Sequence, residues 1–160
     1  MPLKFEGPAI LVEDIQRSRT FYEKLLEQEV LADFGENIPF KSGFSIWKAG
    51  HATEIIFQGK QTTPAKLANG NFEMYFETEE LEACWKRIET EWDDIIHPIH
   101  EAPWLQRGFR LRDPDGHVVE VSESLPALFK RLLGEGMTAE EVAAKTGVPI
   151  EMVKGMVQGK

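Results

Sequence analysis

The chain has 160 residues, 42% hydrophobic and 28% charged. That is enough apolar material for one compact domain with a small appendage, and it excludes a disordered chain. No run of about 18 apolar residues occurs, which excludes an ordinary membrane-spanning helix. The net charge of −9 argues against broad binding to a phosphate backbone. The acidity is uneven: residues 126–160 carry five Lys/Arg and four Glu, or +1, so the remainder carries −10. Any nucleic-acid contact would belong to the tail. The N-terminus lacks the basic-then-apolar layout of a signal peptide, and the lone Cys84 fits a reducing compartment. A cytoplasmic location is expected.

Along the chain, Phe5 to Val12 reads as a strand and Asp14 as the N-cap of a helix. Ile15, Ser18, Tyr22, Leu25 and Leu26 recur at helical spacing, with Phe21 widening the stripe. Strands then fit Glu29–Phe34, Phe40–Lys48 and Thr53–Phe57, punctuated by Gly35, Gly43, Gly50 and Gly59. The polar stretch from Gln61 to Gly70 reads as a linker. The order then repeats. Phe72–Phe76 is a strand, Glu79–Glu91 a helix with Leu81, Cys84, Trp85, Ile88 and Trp92 on one face, and Asp94–Ile99, Arg107–Arg112 and His117–Ser122 are strands. Asp113-Pro114-Asp115-Gly116 is a tight turn.

This internal repeat has an offset of about 64 residues, with Ile10, Val12 and Phe21 falling on Met74, Phe76 and Trp85. From Leu125 the tail reads as helical. Leu125, Leu128, Phe129, Leu132 and Leu133 make one stripe, Thr138 to Glu141 has capping-box spacing, Gly147 ends a helix, and Pro149 begins the next.

Two stretches carry a family resemblance. Ile10-Leu-Val-Glu-Asp-Ile15 with Ser18 and Phe21-Tyr22-Glu-Lys-Leu25 is similar to the opening module of the vicinal oxygen chelate superfamily, which includes glyoxalases, bleomycin-resistance proteins and extradiol dioxygenases. The stretch from Phe109 to Val121, preceded by Ala102 to Arg107, resembles its closing hairpin. The resemblance implies an α+β fold: two βαβββ modules, about 5–59 and 71–123, forming a curved mixed sheet with a cleft. They make up a domain over 1–124, and residues 125–160 are a helical appendage.

The resemblance also implies a divalent metal held between the modules, with ligands at Gly7, Glu54, Asn71 and Glu120. The two carboxylates remain, but Gly7 and Asn71 stand where histidines are usual. Mg, Mn, Ni or Zn is therefore possible without any being assured, and all-oxygen ligands suit Mg²⁺ or Mn²⁺ best.

Strand parity sets the candidate faces. Glu120 shares a face with Ser122, Glu54 with Ile56, and Asn71 with Glu73 and Tyr75. If Glu54, Glu73 and Glu120 all face the cleft, something must offset three carboxylates: a cation, a basic ligand, Arg110 or Arg112, or a raised pKa. Trp47, Trp104, Phe40, Phe44 and Tyr75 either line the cleft or pack in the core. His97 and His100, separated by two residues on one strand, are expected on opposite faces, and His117 is expected to be structural.

The leading expectation is a small organic ligand, cationic in the manner of bleomycin-resistance relatives, held by Asn71, Glu73, Tyr75, Trp47, Trp104 and Arg110 without a complete metal site. The alternative is a metal-dependent lyase or isomerase using Glu54 and Glu120, with Glu120 catalytic. A weaker one is a ligand-responsive regulator whose tail, Thr138 to Gly147 and Val148 to Lys154, resembles a helix-turn-helix. The tail offers only Lys154, Gln158 and Lys160 to a nucleic acid, and Ile150, Val153, Met156 and Val157 form a packing face, so nucleic-acid binding is not expected. A homodimer is the expected assembly.

Overall fold

The computed structural model describes residues 2–157, with Val157 described by its backbone alone. The chain divides into two compact units. One comprises residues up to Phe72 together with Arg112–Val118, and the other comprises Glu73–Leu111 and the chain from Val119 onward.

The first unit is built on a three-stranded sheet in the order β1-β3-β2, with β1 at Ala9–Val12, β2 at Asn37–Pro39 and β3 at Ser45–Lys48. β1 runs parallel to β3, and β2 runs antiparallel to it. Ile10 and Val12 point inward, as period-two alternation requires. Asp14 caps α1 (Ile15–Thr20): its Oδ1 accepts from the backbone N–H of Gln16 and Arg17 at 2.9 and 3.0 Å. The helix continues as a π-type turn over Phe21–Leu25. Phe21, Tyr22 and Leu25 on this segment are buried with Ile38, Phe40, Phe44 and Ile46. The rings of Phe40 and Phe44 stack at 4.7 Å.

Four sequence expectations change here. The strand expected over Phe5–Val12 begins only at Ala9. Residues 29–34 form no strand beyond an isolated bridge from Val30 to Phe40. The expected strand Phe40–Lys48 begins late, because the chain turns at Gly43 (φ +95°) before β3. The expected strand Thr53–Phe57 is the second half of a helix, α2 (Ala49–Phe57). β-branched Thr53, Ile55 and Ile56 favour a strand locally. The winning pattern is Ala49, Ala52 and Thr53, whose i, i+3, i+4 spacing buries a small-residue face, while Ile55 and Ile56 remain exposed.

The second unit holds a four-stranded sheet in the order β4-β7-β6-β5. Its strands are β4 (Glu73–Thr78), β5 (Ile95–Glu101), β6 (Arg107–Arg112) and β7 (Val118–Glu123), with α3 (Leu81–Glu91) between β4 and β5. These bounds lie within a few residues of those expected. Met74, Leu81, Ile88, Phe109, Leu111, Val119 and Val121 form the buried side. Trp85 packs on Phe109 with ring centres 5.0 Å apart.

The tail folds as α4 (Leu125–Gly134), α5 (Ala139–Thr146) and α6 (Ile150–Val157). Leu128, Phe129, Leu132, Val142 and Val153 make its core, with Leu125, Leu133 and Leu105 packed against it. The capping box between Thr138 and Glu141 forms as read, and Gly147 closes α5 at φ +75°. Arg131 fastens α4: its Nε and Nη2 donate to the two oxygens of buried Glu123 at 3.1 and 2.7 Å, and Nη2 also reaches the Leu105 carbonyl at 2.7 Å. On α6, Lys154 pairs with Glu140 at 3.0 Å. Gln158 and Lys160 lie outside the described residues. Among the described residues no helix is long and apolar enough to cross a membrane.

Candidate functional site

The second sheet presents a charged face. Glu73, Tyr75 and Glu77 alternate along β4 on the side opposite buried Met74. Glu120 and Ser122 stand on β7, and Arg110 stands on β6. The Arg110 guanidinium joins the carboxylates. Its Nε donates to Glu73 at 2.7 Å and its Nη2 to Glu120 Oε2. The other oxygen of Glu120 accepts from the Ser122 hydroxyl at 2.6 Å. Ser122 has room because β6 carries Gly108 opposite it: a Cβ there would overlap the hydroxyl.

Electrostatics follow from this layout. Burial pushes the Glu120 carboxyl above its ordinary value. Ser122 and Arg110 oppose that shift and neighbouring Glu73 adds to it. Burial alone would lower the Arg110 guanidinium, but Glu73 and Glu120 outweigh it and hold its pKa above the usual one. Tyr75 is pushed up to about 12, chiefly by burial and by its hydrogen bond to Glu77, so it stays a protonated donor. Its hydroxyl donates to Glu77 at 2.8 Å and accepts from Gln106 Nε2 at 2.9 Å. Gln106 Oε1 accepts the indole N–H of Trp104 at 3.2 Å. Tyr75 and Trp104, each about half exposed, thus lie at two ends of one hydrogen-bonded chain.

His97 joins the same face through Arg110 Nη1, 3.3 Å from its Nε2. The expectation that His97 and His100 point apart is overturned: their rings lie 6.2 Å apart, edge to face. The register of β5 against β6 shifts twice, between Ile95 and His97 and between His97 and His100. A bulge resets the side-chain alternation on which parity relies. Pro98, which cannot donate to a ladder, was the available sign. Ser122, Gln106 and Gly108 gave no chemical signal of their own.

The other sequence candidates belong to the first unit. Glu54 is exposed on α2 rather than on a strand, near Gly59. Its expected face-sharing with Ile56 therefore does not hold. The Trp47 indole donates to His51 Nδ1 at 3.0 Å. Asn71 borders a pocket of about 270 Å³. Gly7 has φ +117°, and any Cβ there would collide with the Gly43 carbonyl oxygen, so this backbone has no room for a ligand side chain.

These residues do not fit the divalent ion that the resemblance implies. Among the described residues no three or more His, Cys, Asp or Glu side chains gather to hold one. Both oxygens of Glu120 already bond protein donors, one of them a cation.

The glyoxalase-like domain family model matches residues 5–126, and no curated protein matches the chain. A protein of unknown function from Agrobacterium tumefaciens strain C58 is 35% identical, with a TM-score of 0.73 over 78% of this chain and 97% of its own. The lactoylglutathione lyase of Agrobacterium tumefaciens is 21% identical, with a TM-score of 0.60 over 77% and 96%. A glyoxalase-related enzyme from Fulvimarina pelagi is 17% identical, with a TM-score of 0.63 over 76% and 89%. The last two speak to the fold alone. The match over residues 5–126 places this chain in the glyoxalase-like domain family of the vicinal oxygen chelate superfamily.

Proposed function

We propose that the chain binds a small organic cation on the charged face of its second sheet, around Arg110, Glu73 and Glu120. The observation that carries this reading is the contact of one guanidinium with both Glu73 and Glu120. Two ionised carboxylates against one arginine leave a net negative charge, and Glu77 adds to it. Tyr75 and Trp104 offer aromatic faces to a flat or cationic group. Binding by sequestration needs no bond rearrangement. The metal-dependent lyase on Glu54 and Glu120 is the less favoured reading, because its donor set does not fit. A cytoplasmic homodimer is the assembly we propose for this activity.

Calorimetric titration with phenyltrimethylammonium and with its uncharged isostere tert-butylbenzene tests the reading. The cation should bind, and Glu73→Gln and Tyr75→Leu should each weaken it by about fivefold to tenfold. Equal binding of the two probes, or cation binding unaffected by both substitutions, would remove this site from consideration.

A further inference from the structure

The helical tail meets the charged face through one turn. Most of α4, and all of α5 and α6, lie beyond residue 126, where the family match ends. Strands β5 and β6 are joined by Ala102 to Gln106. Two backbone bonds close this turn: the Ala102 N–H donates to the Gln106 carbonyl and the Leu105 N–H to the Ala102 carbonyl, each at 2.8 Å. Trp104 stands on the turn, about half exposed. Leu105 follows it at φ +70°, a conformation that a residue with a bulky side chain keeps only where its surroundings hold it.

The tail supplies those surroundings. The Leu105 side chain packs against the core of Leu128, Phe129, Leu132, Val142 and Val153. Arg131 on α4 donates from Nη2 to the Leu105 carbonyl at 2.7 Å, and its Nη1 lies 3.6 Å from Glu101, the residue before the turn. The same guanidinium is anchored on the buried Glu123 carboxylate. The Glu123 backbone carbonyl in turn accepts from Gln106 Nε2 at 2.7 Å. Gln106 bonds both the Trp104 indole N–H and the Tyr75 hydroxyl. A continuous run of contacts thus joins α4 to the two rings of the face.

We propose, on the cation reading of that face, that Arg131 is a positioning residue: through Leu105 it holds the Trp104 ring in place, and the tail thereby sets the affinity of the face for its ligand. Arg131 does not itself meet the ligand. A ring fixed beforehand spares the ligand the cost of ordering it. Without the brace, Leu105 is free to leave its disfavoured conformation, and the turn carries Trp104 away from Gln106.

The test uses the full chain labelled with ¹⁵N-tryptophan, the Trp104 indole signal being assigned by its loss in Trp104→Phe. Phenyltrimethylammonium is titrated into the wild type and three variants. Arg131→Lys keeps a cation for Glu123 but lacks the planar fork that serves the Leu105 carbonyl as well. Leu105→Gly leaves positive φ accessible and withdraws the side chain from the tail core. Each should shift the Trp104 signal and weaken the probe by about threefold to fivefold, the worth of one exposed cation–ring contact. Thr138→Ala weakens the cap of α5 without touching the turn, and should leave both readouts at their wild-type values. Wild-type binding with the Trp104 signal and affinity unchanged in Arg131→Lys and Leu105→Gly would overturn the positioning role and leave the cation reading standing. An equal change in Thr138→Ala would overturn it too, because general loosening of the tail would then suffice. A wild type that does not bind the probe would sink the cation reading and this role together. If Arg131→Lys fails to fold, Leu105→Gly decides.

Discussion

Arg110 bridges Glu73 and Glu120. Its side chain is 32% exposed, and that of Glu120 is 9% exposed, so the pair lies between a surface contact and a buried one. Arg110→Met keeps the stem and removes the charge. It should cost about 2 kcal/mol at neutral pH, between the surface and buried limits, in urea denaturation. The same change removes the cation whose three nitrogens meet Glu73, Glu120 and His97. Mn²⁺ should then raise the melting temperature of the variant but not of the wild type, and an equal rise in both would show that Arg110 does not exclude the ion. A second prediction concerns protons. The folded pKa of Glu120 lies above 4.5, so the folded chain holds a proton that the unfolded chain has released. This group's contribution to stability therefore declines as pH rises from about 4.5 through the folded value. Glu73→Gln removes a like charge and should lower the Glu120 midpoint, read from the side-chain carboxyl ¹³C shift. An unmoved midpoint would mean that Glu73 does not contribute to it.

Elements differ in how far local sequence decides them. The cap at Asp14 and the Thr138–Glu141 box were legible because capping chemistry is local. The second sheet was legible because Met74 and Phe76 alternate with Glu73 and Glu77, and Val119 and Val121 with Glu120 and Ser122. Residues 53–57 were not, because their β-branched character competes with a buried alanine face that only tertiary packing reveals. The offset of His97 was hidden for a similar reason: a bulge is a property of the pair of strands, whereas parity is counted along one. The candidate site was half legible. Arg110 bonds both Glu73 and Glu120, a contact strand parity could suggest, whereas Glu54 is not on the strand from which its role was inferred. The tail offers the test at this scale. Its three short helices share a core of five buried residues, so each depends on its caps. Thr138→Ala should lower stability by about 1 kcal/mol, measured by thermal unfolding, and Thr138→Ser should lower it much less. An equal loss from both would show that the methyl group, not the hydroxyl, matters at this position.

The repeat of about 64 residues, read from Ile10, Val12 and Phe21 against Met74, Phe76 and Trp85, points to two modules laid end to end. The compact units are not laid out that way, since the first takes Arg112–Val118 from the far end of the chain. Sequence periodicity finds the modules but not this exchange, in which two carboxylates of the borrowed turn accept hydrogen bonds from the first unit. Tyr22 is fully buried, and its O–H needs the Asp113 carboxylate, 91 residues away. Asp115 does the same at the head of α1, accepting from the Glu13 backbone N–H and the Ser18 hydroxyl, each at 3.1 Å. A fragment ending at Phe72 lacks all of these acceptors. It would bury the Tyr22 hydroxyl unpaired, at a cost of about 1–3 kcal/mol, in a chain of a size at which domains are already marginal. Residues 1–72 alone should therefore show no cooperative thermal transition by circular dichroism. Adding residues 73–160 in trans should restore one, and the same partner carrying Asp113→Ala should not. A cooperative transition in the isolated fragment would mean that the aromatic cluster of Phe21, Tyr22, Phe40 and Phe44 suffices, and that the borrowed turn adds only to a unit already folded.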